Sequence, residues 1–163
     1  MVIKMKEKTA QDIMTKDVIT ISKDSTLADL SRLLLKNKIS GVPVIDEEGR
    51  LVGMATDADI IREDMETIFP FYFDPLVINY GYIENIEKYQ KDMKEHLETR
   101  IEEVMVRRVK TVHIDTLISD VARIIIRNKI NRVPVVDANN KLLGIIARSD
   151  IIESMVDEAD RKE

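Results

Sequence analysis

Two stretches of this 163-residue chain repeat the same pattern of residues in one constant register. The segments Asn37–Ile39 and Val42–Val44 return as Asn128–Ile130 and Val133–Val135, and no gap is needed between them. The same register aligns further residues, among them Met14 with Met105, Thr20 with Thr111, Gly53 with Gly144 and Asp59 with Asp150. Because such self-similarity marks one supersecondary unit used more than once, we expect the chain to fold as two related units.

The spacing of apolar residues indicates five elements in each unit, in the order β-α-β-β-α. In the first unit Val18–Ile21 is a short β-rich run, and Thr26–Asp29 has the capping-box spacing that begins a helix. The apolar side of that helix is predicted to carry Leu27, Leu30, Leu34 and Leu35. Buried strands are predicted at Val42–Ile45 and Leu51–Ala55, and Thr56–Asp59 caps a final helix. A unit of this size is marginal alone, so the two are expected to pack sheet against sheet.

The predicted organisation places the first repeat at 9–62, an insertion at 63–99, the second repeat at 100–155 and flexible ends at 1–8 and 156–163. All aromatic residues of the chain lie in a 69–89 aromatic segment inside the insertion. An amphipathic helix is predicted from Ile83 to Leu97 by the spacing of Ile83, Ile86, Tyr89, Gln90, Met93 and Leu97. The insertion either caps an exposed apolar edge of the module or packs in a homodimer, or it forms a docking surface for another protein or a lid over one cleft.

Composition narrows the class of function. The chain has no cysteine, which excludes thiol catalysis, disulfides and cysteine-ligated metals. Its formal net charge of −5 supplies no broad positive field, so nucleic acid is not an expected partner. No apolar run approaches the ~20 residues that a membrane-spanning helix needs, and the amino end has no signal-peptide pattern. We therefore expect a cytoplasmic protein that does not act at a membrane.

Residues typical of an active site are also missing from the sequence. The two histidines, His96 and His113, lack ligand spacing and are predicted to be a surface residue and a loop residue. The serines show no nucleophile-elbow pattern, and there is no glycine-rich phosphate loop. We expect no metal site and no enzyme activity.

The repeated segments resemble the CBS domain, in the tandem arrangement called a Bateman module. The matching residues are Val42–Asp46 with Val133–Asp137, and Gly53–Asp59 with Gly144–Asp150. The resemblance implies an α+β fold of two β-α-β-β-α repeats, whose small mixed sheets pack about a pseudo-twofold axis and leave two clefts. It also implies a homodimer and a bound adenosyl effector, which is AMP, ADP, ATP, S-adenosylmethionine or methylthioadenosine, with no cofactor required.

Thr56 and Asp59 allow two readings on the residues alone. The first amides of a helix suit a phosphate, the Thr56 hydroxyl is placed to assist, and the Asp59 carboxylate is able to accept from both hydroxyls of a ribose. Alternatively, the pair forms only a capping box. The resemblance favours the first reading, because the hydroxyl residue and the aspartate of this motif are the usual phosphate and ribose contacts in the family.

The second copy of the motif is degenerate. Ala147 replaces the hydroxyl residue, while Asp150 remains and Ser149 and Arg148 stand beside it. The two clefts are therefore expected to differ in affinity.

By resemblance, each cleft combines residues of both repeats. The favoured cleft is predicted to contain Met54, Thr56, Ala58, Asp59, Val106, Thr111, Ile130, Asn131 and Arg132. The second cleft is predicted to contain Thr15, Thr20, Ile39, Ser40, Gly41, Ile145, Ala147, Ser149 and Asp150. Ile130 and Met54 are expected to hold an adenine. Arg132 either meets a phosphate with two hydrogen bonds or is a solvated surface arginine.

Two functions stay open on the sequence. The first is a regulatory module that senses an adenosine nucleotide or S-adenosyl-type compound between its repeats and modulates a partner. The second is a structural dimerisation or protein-interaction module with vestigial clefts, which recruits its partner through the 69–89 aromatic segment.

Overall fold

The computed structural model of the chain describes residues 8–61 and 83–160. The described elements are α1 (Ala10–Ile13), β1 (Ile21–Ser22), α2 (Leu27–Asn37), β2 (Gly41–Ile45), β3 (Leu51–Thr56), α3 (Asp57–Ile60), α4 (Ile83–Leu97), α5 (Ile101–Val104), α6 (Ile118–Arg127), β4 (Arg132–Val136), β5 (Leu142–Ala147) and α7 (Arg148–Asp160). One sheet has the order β1-β2-β3, and a second sheet pairs β4 with β5. The mixture of helices and small sheets confirms the predicted α+β class.

The first strand of each repeat is shorter than the sequence predicts. In place of a strand over Val18–Ile21, β1 begins only at Ile21. The residues before it form a turn, in which the Val18 amide donates to the Lys16 carbonyl at 3.0 Å. In the second repeat the equivalent residue, Val112, makes a single parallel bridge to Val135. Only the last residue of this run therefore has strand structure, because only that residue pairs with a neighbouring strand.

The described residues form two compact units, and each unit combines segments from both repeats. The second-repeat unit takes residues from Met1–Thr20, Ile45–Val52 and Arg108–Glu163. The first-repeat unit takes residues from Ile21–Val44 and Gly53–Arg107. Each unit thus contains the body of one repeat and the short helix that begins the other. The boundaries 9–62 and 100–155 stay a prediction.

In the first-repeat unit, α5 is attached to the start of α2 by backbone hydrogen bonds. The Ile101 amide donates to the Ser25 carbonyl at 2.9 Å, and the Leu27 amide donates to the Thr99 carbonyl at 2.9 Å. Farther along, Met54 and Val106 exchange hydrogen bonds of 3.0 and 2.9 Å. The segment that begins the second repeat is therefore built into the body of the first.

The second-repeat unit shows the same attachment at equivalent positions. The Ala10 amide donates to the Thr116 carbonyl at 2.8 Å, and the Ile118 amide donates to the Lys8 carbonyl at 3.1 Å. Thr15 and Ile145 exchange hydrogen bonds of 2.9 and 3.0 Å, as Val106 and Met54 do in the other unit. The internal repeat of the sequence is thus also a repeat of its long-range hydrogen bonds.

An aliphatic core lies inside each unit. In the second-repeat unit the buried cluster consists of Ala10, Val112, Val121, Ile125, Val133, Val135, Ile146 and Ile151. In the first-repeat unit Leu27, Leu30 and Leu34 of α2 are buried. Leu35, predicted to share their side of the helix, is instead 79% exposed. A residue next to Leu34 lies about 100° farther round the helix, and this rotation takes Leu35 off the apolar stripe.

The ends of the insertion and of the chain also bear on the predicted boundaries. The helix α4 spans Ile83–Leu97, as its apolar spacing predicts. The last helix, α7, continues to Asp160, so five residues of the predicted carboxyl-terminal tail are helical. Most of the 69–89 aromatic segment lies outside the described residues.

The hairpin turns of the two repeats meet inside the second-repeat unit. The Leu51 amide donates to the Asn140 carbonyl at 2.9 Å, and the Leu142 amide donates to the Gly49 carbonyl at 3.2 Å. The Asn140 side-chain amide also donates to the Leu51 carbonyl at 2.6 Å. Asn140 has a left-handed backbone, with φ of 62°. It therefore supplies both a turn conformation and a long-range hydrogen bond.

We expect Asn140→Ala to lower the free energy of unfolding by about 1–2 kcal/mol, because it loses this hydrogen bond and strains a left-handed position. Asn140→Gly is the matched control, since glycine loses the hydrogen bond but accepts a positive φ. Urea unfolding of both variants is the measurement. Equal stability of the two variants would contradict a role for the left-handed backbone.

Candidate functional site

The motif Thr56–Asp59 stands where β3 ends and α3 begins. The Thr56 amide donates to Asp59 Oδ2 at 2.7 Å, and the Thr56 hydroxyl donates to the same oxygen at 2.9 Å. Both residues are half-buried. Within the described residues, the side-chain hydrogen bonds of Asp59 both go to Oδ2, and each carboxylate oxygen has two acceptor sites. The capping role and a ligand role are therefore compatible in this geometry.

Ser40 and Gly41, where β2 begins, hold this motif in place. The Asp57 amide donates to the Ser40 carbonyl at 3.0 Å. A Cβ atom built on Gly41 would lie 2.8 Å from Cγ2 of Thr56 and 3.0 Å from the Ala55 carbonyl oxygen. A side chain at position 41 would push against the motif, so glycine is required by close approach rather than by its φ.

The second copy keeps only half of the capping arrangement. The Ala147 amide donates to Asp150 Oδ2 at 2.8 Å, and no hydroxyl joins it. The Arg148 amide donates to the Asn131 carbonyl at 3.1 Å, and its Nε donates to the Ile130 carbonyl at 3.1 Å. Asp150 Oδ1 lies 3.5 Å from the Ser149 hydroxyl. The guanidinium of Arg148 is therefore directed to the backbone of the residues before β4.

Each predicted cleft draws residues from both compact units. Of the favoured cleft, the first-repeat unit contains Met54, Thr56, Ala58, Asp59 and Val106, and it joins Met54 to Val106 directly. Thr111, Ile130, Asn131 and Arg132 belong to the second-repeat unit, where Arg132 is paired with Ala147 in the β4–β5 sheet. The composition of this cleft stays a prediction.

The second predicted cleft is divided in the same way. Thr15, Thr20, Ile145, Ala147, Ser149 and Asp150 lie in the second-repeat unit, where Thr15 is bridged to Ile145. The first-repeat unit contains Ile39, Ser40 and Gly41, of which Ser40 and Gly41 lie beside the Thr56–Asp59 motif. This cleft also stays a prediction.

A second threonine–aspartate pair repeats the geometry of Thr56 and Asp59 without being a predicted ligand contact. At the start of α2, the Thr26 amide and hydroxyl donate to Asp29 Oδ2 at 3.0 and 2.9 Å. The hydrogen bond from the Thr26 backbone, followed by that from its side chain, holds the pKa of Asp29 below its usual value. This pair provides a built-in comparison for the motif at α3.

His96 is not the surface residue that the sequence predicts. Its Nε2 lies 2.8 Å from the carbonyl oxygen of Ile60, the last residue of α3, and the side chain is half-buried rather than a surface group. No pattern in the sequence announces this contact, because the two residues lie 36 positions apart. His113 is in a loop as predicted, with Nδ1 3.1 Å from the Val136 carbonyl.

The described part of the chain contains neither a metal-binding cluster nor a membrane-spanning helix. Over residues 8–61 and 83–160, no group of histidine, aspartate and glutamate side chains could hold a metal ion. Within the same two ranges, no helix has the length and apolar character needed to cross a membrane.

These observations define a class of protein, a tandem-repeat module with two related strand-to-helix motifs. A family model for the CBS domain matches residues 10–66 and 101–157. The chain therefore belongs to the CBS domain family, and the resemblance drawn from its repeats is confirmed.

The chain is similar to several known proteins. It is 37% identical over 152 residues to the uncharacterized protein MJ1426 of Methanocaldococcus jannaschii, with 90% of each chain covered. It is 29% identical over 156 residues to the chloroplastic CBS domain-containing protein CBSX1 of Arabidopsis thaliana, covering 90% of this chain and 63% of that protein.

Two solved structures were determined with adenosyl compounds. The structure of CBSX2 in complex with AMP has a TM-score of 0.69 and 25% identity, covering 93% of this chain and 98% of that one. The CBS domain pair of MJ0100 in complex with methylthioadenosine and S-adenosylmethionine has a TM-score of 0.67 and 25% identity, covering 94% and 99%. Ligand binding is a property of those proteins, and both of them are CBS-pair structures.

Proposed function

We propose that this chain is a regulatory module that binds an adenosine nucleotide or an S-adenosyl-type compound and modulates a partner protein. The similar CBS pairs that carry AMP, or methylthioadenosine with S-adenosylmethionine, support the adenosyl class of ligand. The proposal includes a homodimer in the cytoplasm. It includes no catalytic step.

The observation that carries the proposal is the arrangement of Asp59. Its Oδ2 accepts two hydrogen bonds from Thr56, and these are the side-chain hydrogen bonds of Asp59 within the described residues. A carboxylate has about four lone-pair sites, so two remain for the vicinal hydroxyls of a ribose. The same carboxylate thereby fixes the start of α3 and offers the acceptors that a nucleoside requires.

Thr56 gives the motif a way to respond to a phosphate. In this structure its hydroxyl donates to Asp59 Oδ2. When a phosphate is present, the hydroxyl turns toward it, because a doubly charged oxyanion is the stronger acceptor. This rotation releases one acceptor site on Asp59 for the ribose. The two ligand contacts are therefore expected to strengthen each other.

Regulation requires that the ligand favour one arrangement of the protein over another. A ligand with equal affinity for both arrangements shifts neither population. The predicted favoured cleft includes Thr56 and Asp59 from the first repeat and Ile130 and Arg132 from the second. A ligand that contacts residues of both repeats binds best in the arrangement that presents them together.

We expect one adenosyl compound to raise the melting temperature of the purified protein in a dose-dependent way. The panel consists of AMP, ADP, ATP, S-adenosylmethionine and methylthioadenosine, with GMP and inosine as base controls. Native-state binding adds about 2.7 kcal/mol of stability when the ligand is at a hundredfold excess over its Kd. Calorimetric titration of the responding compound gives its Kd and stoichiometry.

The panel separates the two functions that the sequence leaves open. A response confined to adenosine compounds supports the sensor. If no compound shifts the melting temperature at millimolar concentration, the clefts are vestigial and the interaction-module alternative is correct.

A further inference from the structure

The insertion helix α4 is attached to the motif helix α3 through one side chain. Nε2 of His96 lies 2.8 Å from the carbonyl oxygen of Ile60. A carbonyl oxygen only accepts, so Nε2 carries the hydrogen and donates it. Ile60 is the residue after Asp59 and the last residue of α3. The imidazole therefore contacts the chain immediately beside the carboxylate assigned to the ligand.

The two repeats differ at this point, and the difference explains why α3 needs such a partner. The helix α3 has four residues, whereas its counterpart α7 has thirteen. The last carbonyls of a helix have no partner within the helix, so a short helix leaves most of its carbonyls to other groups. The equivalent of Ile60 is Ile151, which lies inside α7 with helix continuing after it. His96 replaces, from outside, a hydrogen bond that the second repeat makes within its own helix.

The surroundings of α4 show why this hydrogen bond matters for the position of the helix. Both α3 and α4 pack against α2. An open surface groove of about 420 Å³ lies between α2 and α4, lined by Thr26, Ala28, Arg32, Gln90, Met93, Lys94, Leu97 and Glu98. On this side α4 faces solvent and does not pack against another described helix. The contact from His96 to Ile60 adds a directional link between α4 and α3.

We propose that His96 is a positioning residue that couples the insertion helix to the adenosyl site. Its hydrogen bond fixes the end of α3 and so holds Asp59 in the geometry in which Oδ2 accepts from Thr56. Conversely, a ligand held by Asp59 restrains α3 and, through His96, restrains α4. This inference rests on the proposed function, and it assigns α4 as an element that ligand binding restrains.

The first test uses the ligand-free protein and hydrogen–deuterium exchange. His96→Ala is expected to speed exchange of the amides of residues 57–61 and of α4, because the end of α3 loses its link. The amides that join α5 to α2 should be unchanged. Glu95→Ala is the matched control, since Glu95 is an exposed neighbour on the same helix. His96→Gln restores a donor of similar reach and is expected to recover slow exchange.

The second test measures the Kd of whichever panel compound binds the wild-type protein. His96→Ala is expected to weaken binding by about threefold to tenfold, the range of one neutral hydrogen bond, and His96→Gln to recover most of it. Affinity is measured well below the melting temperature of each variant, so that lost stability does not appear as lost affinity.

The outcomes separate this inference from the function on which it rests. Unchanged exchange at residues 57–61 in His96→Ala overturns the coupling, whatever the protein binds. Faster exchange with an unchanged Kd overturns the positioning role and leaves the adenosyl function intact. Binding of no adenosyl compound by the wild-type protein overturns the proposed function and the positioning role with it.

Discussion

Replacing Leu30 with alanine is expected to lower the free energy of unfolding by about 2–5 kcal/mol. Leu30 lies on α2 and is 0% exposed. The substitution removes three buried carbon atoms and leaves a cavity that a close-packed interior fills only in part. Urea unfolding followed by far-ultraviolet circular dichroism, at one fixed protein concentration, gives the change.

Leu35→Ala on the same helix is the matched control. Leu35 is 79% exposed, so its truncation is expected to change stability by no more than about 0.5 kcal/mol. The two variants have the same chemistry and the same helix propensity, and they differ only in burial. Similar losses in both would contradict the orientation of α2.

The helix α2 shows which structural features the local sequence patterns predict correctly and which they do not. Capping residues and apolar spacing depend on neighbours along the chain, and they correctly place the start of α2 at Thr26 and both ends of α4. They fail at Leu35, which was predicted to lie on the apolar side of α2 but is exposed. They also fail at Val18–Ile21, because a run rich in β-branched residues forms a strand only where a partner strand lies beside it.

Contacts between residues that lie far apart in the chain could not be predicted from the sequence. Gly53 and Met105 are both visible as repeated residues, and so are Gly144 and Met14, but their contacts are not. A Cβ atom on Gly53 would lie 2.6 Å from the Met105 sulfur, and one on Gly144 would lie 2.6 Å from the Met14 sulfur. Both glycines make room for the segment that comes from the other repeat. An alignment of the repeats shows which residues are equivalent, but it does not show which of them touch.

In the candidate site too, the local features were predictable from the sequence and the long-range contacts were not. The strand-to-helix motif was predictable because its residues lie within four positions, and the capping geometry of Thr56 and Asp59 follows from that spacing. The contact of Ser40 and Gly41 with the motif was not predicted, since the resemblance assigns them to the second cleft. His96 was missed because a single side chain from an insertion has no counterpart in the repeat.

The aspartate at the start of α3 gives the sharpest test of the adenosyl site. Asp59→Ala is expected to raise the Kd of the responding compound by about tenfold to a hundredfold, because hydrogen bonds to a charged group contribute about 1.5–3 kcal/mol. The substitution also removes a helix cap, which costs about 0.5–2 kcal/mol of stability. Calorimetric titration of the folded variant separates the two effects.

Asp29→Ala makes this separation explicit, because Asp29 caps α2 with the same pair of hydrogen bonds from its threonine. Both variants lose a capping carboxylate, so both are expected to lose stability, but only Asp59→Ala should lose affinity. Equal affinity in the two variants would mean that Asp59 serves only as a cap. A loss of affinity in Asp59→Ala alone shows that this carboxylate both begins a helix and binds the ligand, which is what the geometry of its two oxygens permits.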